Sequence, residues 1–230
     1  IIDNFHEITE ILRLFPELTV FYNGPKCGAS APDHCHFQAV STGLLPLQKE
    51  WRRLYGSIEW IVGRNEVNGI GLVKDYPIPA YLIRSDDTDN TNRLFCMLYN
   101  AMPMQIDDEE PMMNIVAWKE EEFTIVVVFP RRRHRPLCYY ANGKEQHLIS
   151  PGALDMSGLV ITPIEEDYNT LTEKDVESIF NEIAISKVQE TTINAKLTDI
   201  ALMKEKGEEN KNEHTEPLVS VGIVSGKEIR

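Results

Sequence analysis

Several features that would assign a protein class at once are scarce or missing in this sequence. The four cysteines, Cys27, Cys35, Cys96 and Cys138, form no C-x-x-C pair, so the simplest interpretation is reduced thiols in a cytoplasmic protein. No apolar run approaches the roughly 18 residues that a membrane span needs, which makes a membrane partner unexpected. Basic residues number 23 against 36 acidic ones, for a net charge of -13. This balance disfavours nucleic acid as the main partner, because phosphate backbones are bound largely by Lys and Arg.

Composition along the chain predicts one main domain over residues 1–186. Residues 187–216 are rich in charged and polar side chains and are expected to be a linker. The sequence LVSVGIVSG after it predicts a strand, so residues 217–230 are expected to begin a second domain. The chain starts without an initiator Met, a basic segment or a cleavage site, so we expect it to be part of a longer protein rather than to begin with a signal peptide.

Hydrophobic periodicity predicts a mixed α+β fold. Apolar residues recur at helical spacing over residues 4–15, and LTVFY at 18–22 predicts a buried strand. The segment MNIVAWKEEEFTIVVVFP, residues 113–130, predicts a β-hairpin about a charged turn. Thr172 is placed to cap a helix that carries acidic residues in its first turn. We therefore expect a mainly antiparallel sheet with flanking helices.

The stretch HCHFQAV, residues 34–40, follows a loop of small residues and predicts a second strand, antiparallel to residues 18–22. On such a strand His34, His36 and Gln38 share one face, while Cys35 and Phe37 point to the other face and into a core. One interpretation of this pattern is simply the polar, solvent-facing side of an edge strand.

Three chemistries suit a row of two imidazoles and an amide. Metal binding would use the imidazoles, although Gln is a poor third ligand for zinc. Acid–base catalysis would need only one histidine. Nucleophilic attack on phosphorus fits better, because a neutral imidazole is free to attack at pH 7 and Gln38 can hydrogen-bond a phosphate oxygen. Backbone amides near Gly28 and the hydroxyl of Ser30 can turn towards the same phosphate.

The segment FYNGPKCGASAPDHCHFQA resembles the active-site segment of the histidine-triad (HIT-like) superfamily. It is most similar to the H-x-H-x-Q branch of galactose-1-phosphate uridylyltransferase, diadenosine tetraphosphate phosphorylase and GDP-L-galactose phosphorylase. Residues 150–172 resemble a late segment of the phosphorylases. The whole chain also looks like an uncharacterised bacterial family in which this domain precedes a sporulation amidase-enhancer-like (SpoIID/LytB-like) domain. The motif positions of the branch are Asn23, Gly24, Gly28, Ser30, His34, His36 and Gln38.

The resemblance implies a HIT-like fold whose first part would lie before Ile1. It also implies a nucleotidyltransferase or phosphorylase that acts on a nucleoside diphosphate sugar or dinucleoside polyphosphate through a covalent His36–nucleotide intermediate. Gln38 would hold the transferred phosphate, with Ser30 and Asn23 on the phosphates of the leaving group. His34 would either orient His36 or, as in the uridylyltransferases, ligate a structural zinc; no other cofactor is implied.

The expected partner is thus a nucleotide or nucleotide sugar, and a homodimer is left open. An alternative is a catalytically silent nucleotide-binding module that serves a C-terminal domain. The sequence departs from the family at Cys35, where Pro or a bulky residue is usual.

An acidic protein needs local positive charge to bind a phosphorylated substrate. The segment FPRRRHRP, residues 129–136, holds four arginines, and we predict that Arg131 and Arg133 bind substrate phosphate. Lys26 and Gly24, close to the histidines in sequence, are predicted to do the same. The competing interpretation of the arginines is a solvated strand end that pairs with surface carboxylates.

Overall fold

The computed structural model describes residues 1–63 and 67–213, with side chains described to residue 203. Its centre is one seven-stranded sheet with the order β2-β1-β6-β7-β5-β4-β3, in which every neighbouring pair is antiparallel. The strands are β1 Leu18–Asn23, β2 Gln38–Ser41, β3 Ile58–Val62, β4 Gly69–Val73, β5 Tyr81–Ser85, β6 Met113–Glu120 and β7 Phe123–Pro130. The predicted α+β class is confirmed.

Helices cover both faces of this sheet. Three of them, α1, α4 and α8, pack on one face, where Phe5 and Phe95 stack with ring centroids 3.7 Å apart. Shorter helices cover the other face around Trp51 and Trp118. The helices are α1 Phe5–Leu14, α2 Pro46–Lys49, α3 Trp51–Tyr55, α4 Thr88–Ala101, α5 Ala153–Met156, α6 Glu165–Thr170, α7 Glu173–Ile183 and α8 Lys187–Glu213. Among the described residues, no helix is both long and apolar enough to cross a membrane.

Local sequence signals account for several of these elements. The charged turn of the predicted hairpin lies between β6 and β7, where Glu121 adopts a φ of 54°. Thr172 caps α7 as predicted: its hydroxyl accepts a hydrogen bond from the amide of Asp175, whose carboxylate accepts one from the Thr172 amide.

The predicted strand at 34–40 is shorter than expected. Only β2, residues 38–41, pairs with β1, from Phe21 opposite Gln38 to Leu18 opposite Ser41. Both histidines precede this strand and lie in irregular backbone. Phe37 packs against Tyr22, with ring centroids 5.9 Å apart, while Cys35 is exposed. The expected alternation therefore fails at Cys35, because residues outside the ladder need not point to opposite faces in turn.

The structure also differs from the expectation of a linker over residues 187–216. Residues 187–213 form α8, and Ile193 and Leu197 of this helix are buried in the core against α4. A few apolar side chains at helical spacing are enough to dock a helix, even where the average composition is polar. The strand predicted at 218–226 and the second domain predicted from residue 217 lie outside the described residues.

Candidate functional site

The end of β1 is joined to three other segments by the side chain of Asn23. Its Oδ1 accepts hydrogen bonds from Asn114 Nδ2 of β6 at 2.8 Å and from the amide of Ala153 at 2.7 Å. Its Nδ2 lies 3.5 Å from Oε1 of Gln38, the first residue of β2. Asn23 therefore holds the motif strand against the start of α5, a contact across 130 residues of sequence.

Gly28 allows the small-residue loop to lie against the same segment. Its φ is +85°, and a Cβ at this position would lie 2.7 Å from the carbonyl oxygen of Pro151 and 2.9 Å from Cα of Gly152. Both the conformation and the close approach require glycine. The loop after β1 and the segment before α5 thus pack backbone to backbone.

A cleft of about 300 Å³ opens where these segments meet. Four predicted site residues line it: Asn23, Gly28, Ser30 and Gln38. The opposite wall comes from residues 148–163, which overlap the segment 150–172 that resembles the phosphorylases, and includes Ser150 and Gly152. Ser30 and Gln38 are exposed, so a hydroxyl and an amide are available to a ligand here.

The two histidines lie next to each other in the loop before β2. Their ring centroids are 5.2 Å apart; His34 is exposed and His36 half-buried. Nδ1 of His36 is 3.4 Å from the carbonyl oxygen of His34. Because a carbonyl oxygen only accepts, this contact favours the tautomer with the proton on Nδ1, which leaves the lone pair on Nε2. That is the form of histidine that can act as a nucleophile.

His34 is oriented by its neighbour Asp33, whose Oδ1 lies 3.2 Å from Nδ1 of His34. The pKa of Asp33 is lowered, first by a backbone hydrogen bond and then by this contact. Among the side chains that the structure describes, up to residue 203, no three of His, Cys, Asp or Glu come close enough together to hold a metal ion.

Gly24 and Lys26 belong to a different cleft. They line a depression with the acidic segment 107–110, where Lys26 Nζ pairs with Oδ1 of Asp108 at 2.5 Å and has its pKa raised by that carboxylate. The amide of Gly24 donates to the carbonyl oxygen of Met113. The structure therefore separates these two residues from Asn23, Gly28, Ser30 and Gln38.

The two arginines predicted to bind phosphate are engaged elsewhere. Arg131 is 2% exposed, and its guanidinium donates to Oδ1 of Asn114 and to the carbonyl oxygens of Pro151, Arg133 and His134. Burial lowers its pKa. The structure therefore gives this guanidinium four acceptors within the protein, and its contact with substrate phosphate stays a prediction.

Arg133 forms an ion pair with Glu182 of α7, which agrees with the competing interpretation of a strand end paired with carboxylates. Arg135 of the same cluster donates from Nε to Oγ of Ser150 at 3.1 Å. Since Ser150 lines the cleft, Arg135 contacts a side chain of its wall.

Three residues that shape the site were missed from the sequence: Asn114, Ser150 and Asp155. The Asp155 carboxylate accepts hydrogen bonds from the amides of Gly152 at 2.8 Å and Ile161 at 2.7 Å, and burial raises its pKa. It ties the ends of the 152–161 turn together and lines the cleft. The resemblance at 150–172 pointed to this segment, but no local signal marked the individual side chains.

Comparisons with known proteins found a family model and a solved structure that are similar to this chain. A model of the domain of unknown function DUF4922 matches residues 1–41, which contain the whole motif loop. A search of curated proteins finds no match. A crystal structure of yeast Ap4A phosphorylase is similar to this chain with a TM-score of 0.50 and 15% sequence identity.

The similarity to the phosphorylase covers 78% of this chain and 60% of the phosphorylase chain. The chain thus spans about 60% of the length of that enzyme. At this level of identity the likeness concerns the fold, and it confirms an α+β architecture with an antiparallel sheet like that of Ap4A phosphorylase.

Proposed function

We propose that this protein is a nucleotidyltransferase or phosphorylase that cleaves a nucleoside diphosphate sugar or a dinucleoside polyphosphate through a His36–nucleotide intermediate. The observation that carries the proposal is the meeting of Asn23, Gly28, Ser30 and Gln38 in one cleft, with the two histidines between Ser30 and Gln38 in sequence. The similarity in fold to a phosphorylase of a dinucleoside polyphosphate supports it.

The proposed reaction has two steps. Nε2 of His36 attacks a substrate phosphorus, the bond from that phosphorus to its bridging oxygen breaks, and the leaving phosphate or sugar phosphate departs with the electron pair. An oxygen of phosphate or of another acceptor then attacks the same phosphorus, and the P–N bond breaks to restore the imidazole. The carbonyl oxygen of His34 can accept a hydrogen bond from Nδ1–H throughout, which stabilises the positive charge that develops on the ring.

Several of the groups that line the cleft are neutral hydrogen-bond donors that can bind a phosphate. Gln38 and Ser30 can donate hydrogen bonds to phosphoryl oxygens, and the left-handed backbone at Gly28 turns the small-residue loop in a way that can present amides. Such preorganised donors stabilise the transition state of phosphoryl transfer mainly through positioning and electrostatics.

The test is a search for the covalent intermediate. The protein is incubated with a panel of nucleotide sugars and with diadenosine tetraphosphate, stopped at alkaline pH to preserve a P–N bond, and examined by intact mass. We expect a mass gain of one nucleoside monophosphoryl group in the wild type and none in His36→Asn. The control is His6→Asn, since His6 is an exposed histidine of α1, far from the motif in sequence.

A second variant tests the role of Gln38. Gln38→Ala should form the adduct more slowly, by on the order of 10²–10³-fold for the loss of one oriented donor. If the wild type binds nucleotides but forms no adduct and turns nothing over, the enzyme proposal fails and a silent binding module takes its place.

A further inference from the structure

A second cleft, larger than the first, lies at the opposite end of the sheet. The candidate site adjoins the end of β1 where Asn23 pairs with Asn114, whereas this cleft lies where Thr19 pairs with Trp118 and where β6 turns into β7. Its volume is about 580 Å³, within the range of small-molecule sites. None of its lining residues belongs to the candidate catalytic cleft.

The cleft is positively charged in a protein of net charge -13. Four basic side chains line it against two acidic ones, Glu120 and Glu121. Glu120 is already engaged, because its Oε2 accepts the indole N–H of Trp51 at 2.5 Å. The basic residues are Lys49, Arg52, Arg84 and Lys119.

Two of these cations have no partner among the residues that the structure describes. Neither the guanidinium of Arg52 nor the ammonium group of Lys49 makes a hydrogen bond or ion pair there, whereas the adjacent Arg53 pairs with Glu50. Lys119 is half-buried and donates to a carbonyl oxygen and to Oγ1 of Thr124; its pKa is lowered by burial. An anion in the cleft would offset this desolvation.

Aromatic side chains form the rest of the cleft. Trp51 and Trp118 line it and meet edge to face, with ring centroids 5.0 Å apart. Tyr55 and Phe123 also line it, and the guanidinium of Arg84 lies over the Phe123 ring at 3.3 Å from its centroid. A stacked guanidinium and aromatic edges form a surface on which a planar ring can pack.

We infer that this cleft binds a small anion that carries a planar ring, of the size and charge of a nucleoside monophosphate. The ring packs among Tyr55, Phe123 and the Arg84 guanidinium, and the phosphate accepts hydrogen bonds from Arg52 and Lys49. A planar guanidinium matches two phosphate oxygens at once, which makes Arg52 the main anchor.

The test uses the tryptophans as reporters. The chain has three, Trp51, Trp60 and Trp118; two line this cleft, and none lines the candidate catalytic cleft. The indole N–H resonances are followed by NMR during titration with AMP, adenosine and inorganic phosphate. We expect AMP to shift the Trp51 and Trp118 resonances saturably, and adenosine and phosphate each to bind more weakly than AMP.

Matched variants separate the cleft from general surface charge. Arg52→Ala should weaken AMP binding by roughly tenfold or more, the usual effect of losing a charge-assisted hydrogen bond. Arg53→Ala, the neighbouring exposed arginine, should leave the affinity unchanged. No saturable shift with AMP, or equal affinity in Arg52→Ala, would overturn the inference. If inorganic phosphate bound as tightly as AMP, the proposed role of the ring would be refuted. If adenosine bound as tightly as AMP, the proposed role of the phosphate would be refuted.

This inference is independent of the proposed catalytic site. A protein that forms the His36 adduct but shows no indole shift would contradict only the second cleft. A protein that shows the shift but forms no adduct would contradict only the proposed reaction.

Discussion

Replacing Gly28 by alanine measures how tightly the motif loop packs on the segment before α5. Two costs arise. An alanine at a φ of +85° takes a left-handed conformation, which costs about 1–2 kcal/mol. Its Cβ would also lie 2.7 Å from the carbonyl oxygen of Pro151, a backbone atom that cannot move without the chain around it. Overlaps of this kind add about 1–3 kcal/mol.

Gly43→Ala is a matched control. Gly43 has a φ of +86°, and a Cβ there would meet nothing within 4 Å, so this variant carries the conformational cost without the overlap. The difference between the two variants therefore isolates the contact between the loop and residues 151–152. We expect Gly28→Ala to lower the free energy of unfolding by about 1–3 kcal/mol more than Gly43→Ala does.

Urea denaturation followed by circular dichroism measures both values. With a slope of about 2 kcal/mol per molar urea, the extra loss shifts the midpoint by about 0.5–1.5 M. The adduct assay should also slow in Gly28→Ala and not in Gly43→Ala, because Gly28 and Gly152 both line the cleft. Equal midpoints and equal adduct rates in the two variants would show that the loop and the wall are not packed as described.

Two further predictions concern buried groups beside the cleft. Arg131→Lys removes several of the four hydrogen bonds that the guanidinium makes. It should lower the free energy of unfolding, measured by urea denaturation, by on the order of 2–4 kcal/mol. The control Arg132→Lys, at an exposed position, should lower it by less than about 1 kcal/mol. Burial raises the pKa of the Cys27 thiol to about 12, so above about pH 8.5 the unfolded chain loses a proton that the folded chain keeps. Stability should therefore fall as pH rises from about 8.5 to 12, and Cys27→Ala should reduce that slope by up to about 1.4 kcal/mol per pH unit; an unchanged slope would contradict the burial of this thiol.

Local patterns in the sequence were sufficient for much of the fold. The helix at α1, the strand β1 and the β6–β7 hairpin follow from periodicities that each segment carries alone. Strand β4 was missed because Gly69 and Gly71 weaken its strand signal. In the sheet, a Cβ at Gly71 would lie 2.4 Å from Cγ2 of Ile58, so this glycine is explained by a neighbour from another strand rather than by its own segment.

For the candidate site, too, the sequence could predict some features and not others. The motif loop could be recognised from residues 23–38 because its histidines, glutamine and small residues are contiguous in sequence. The sequence could not show whether Lys26, Arg131 and Arg133 share that site. Charge and proximity in sequence do not determine which side of a loop or strand a side chain occupies.

The sequence by itself determined the α+β class, the antiparallel partners of the central hairpin and the identity of the motif that we propose to be catalytic. Only the tertiary structure decided that the motif meets residues 148–163 and that Asn23 bridges to Ala153 across 130 residues. It likewise decided that Arg131 is buried as a hydrogen-bond donor to backbone carbonyls. The physical reason is that helix and strand propensities act within a few residues, whereas buried hydrogen bonds and close backbone contacts are set by which distant segments the closed core brings together.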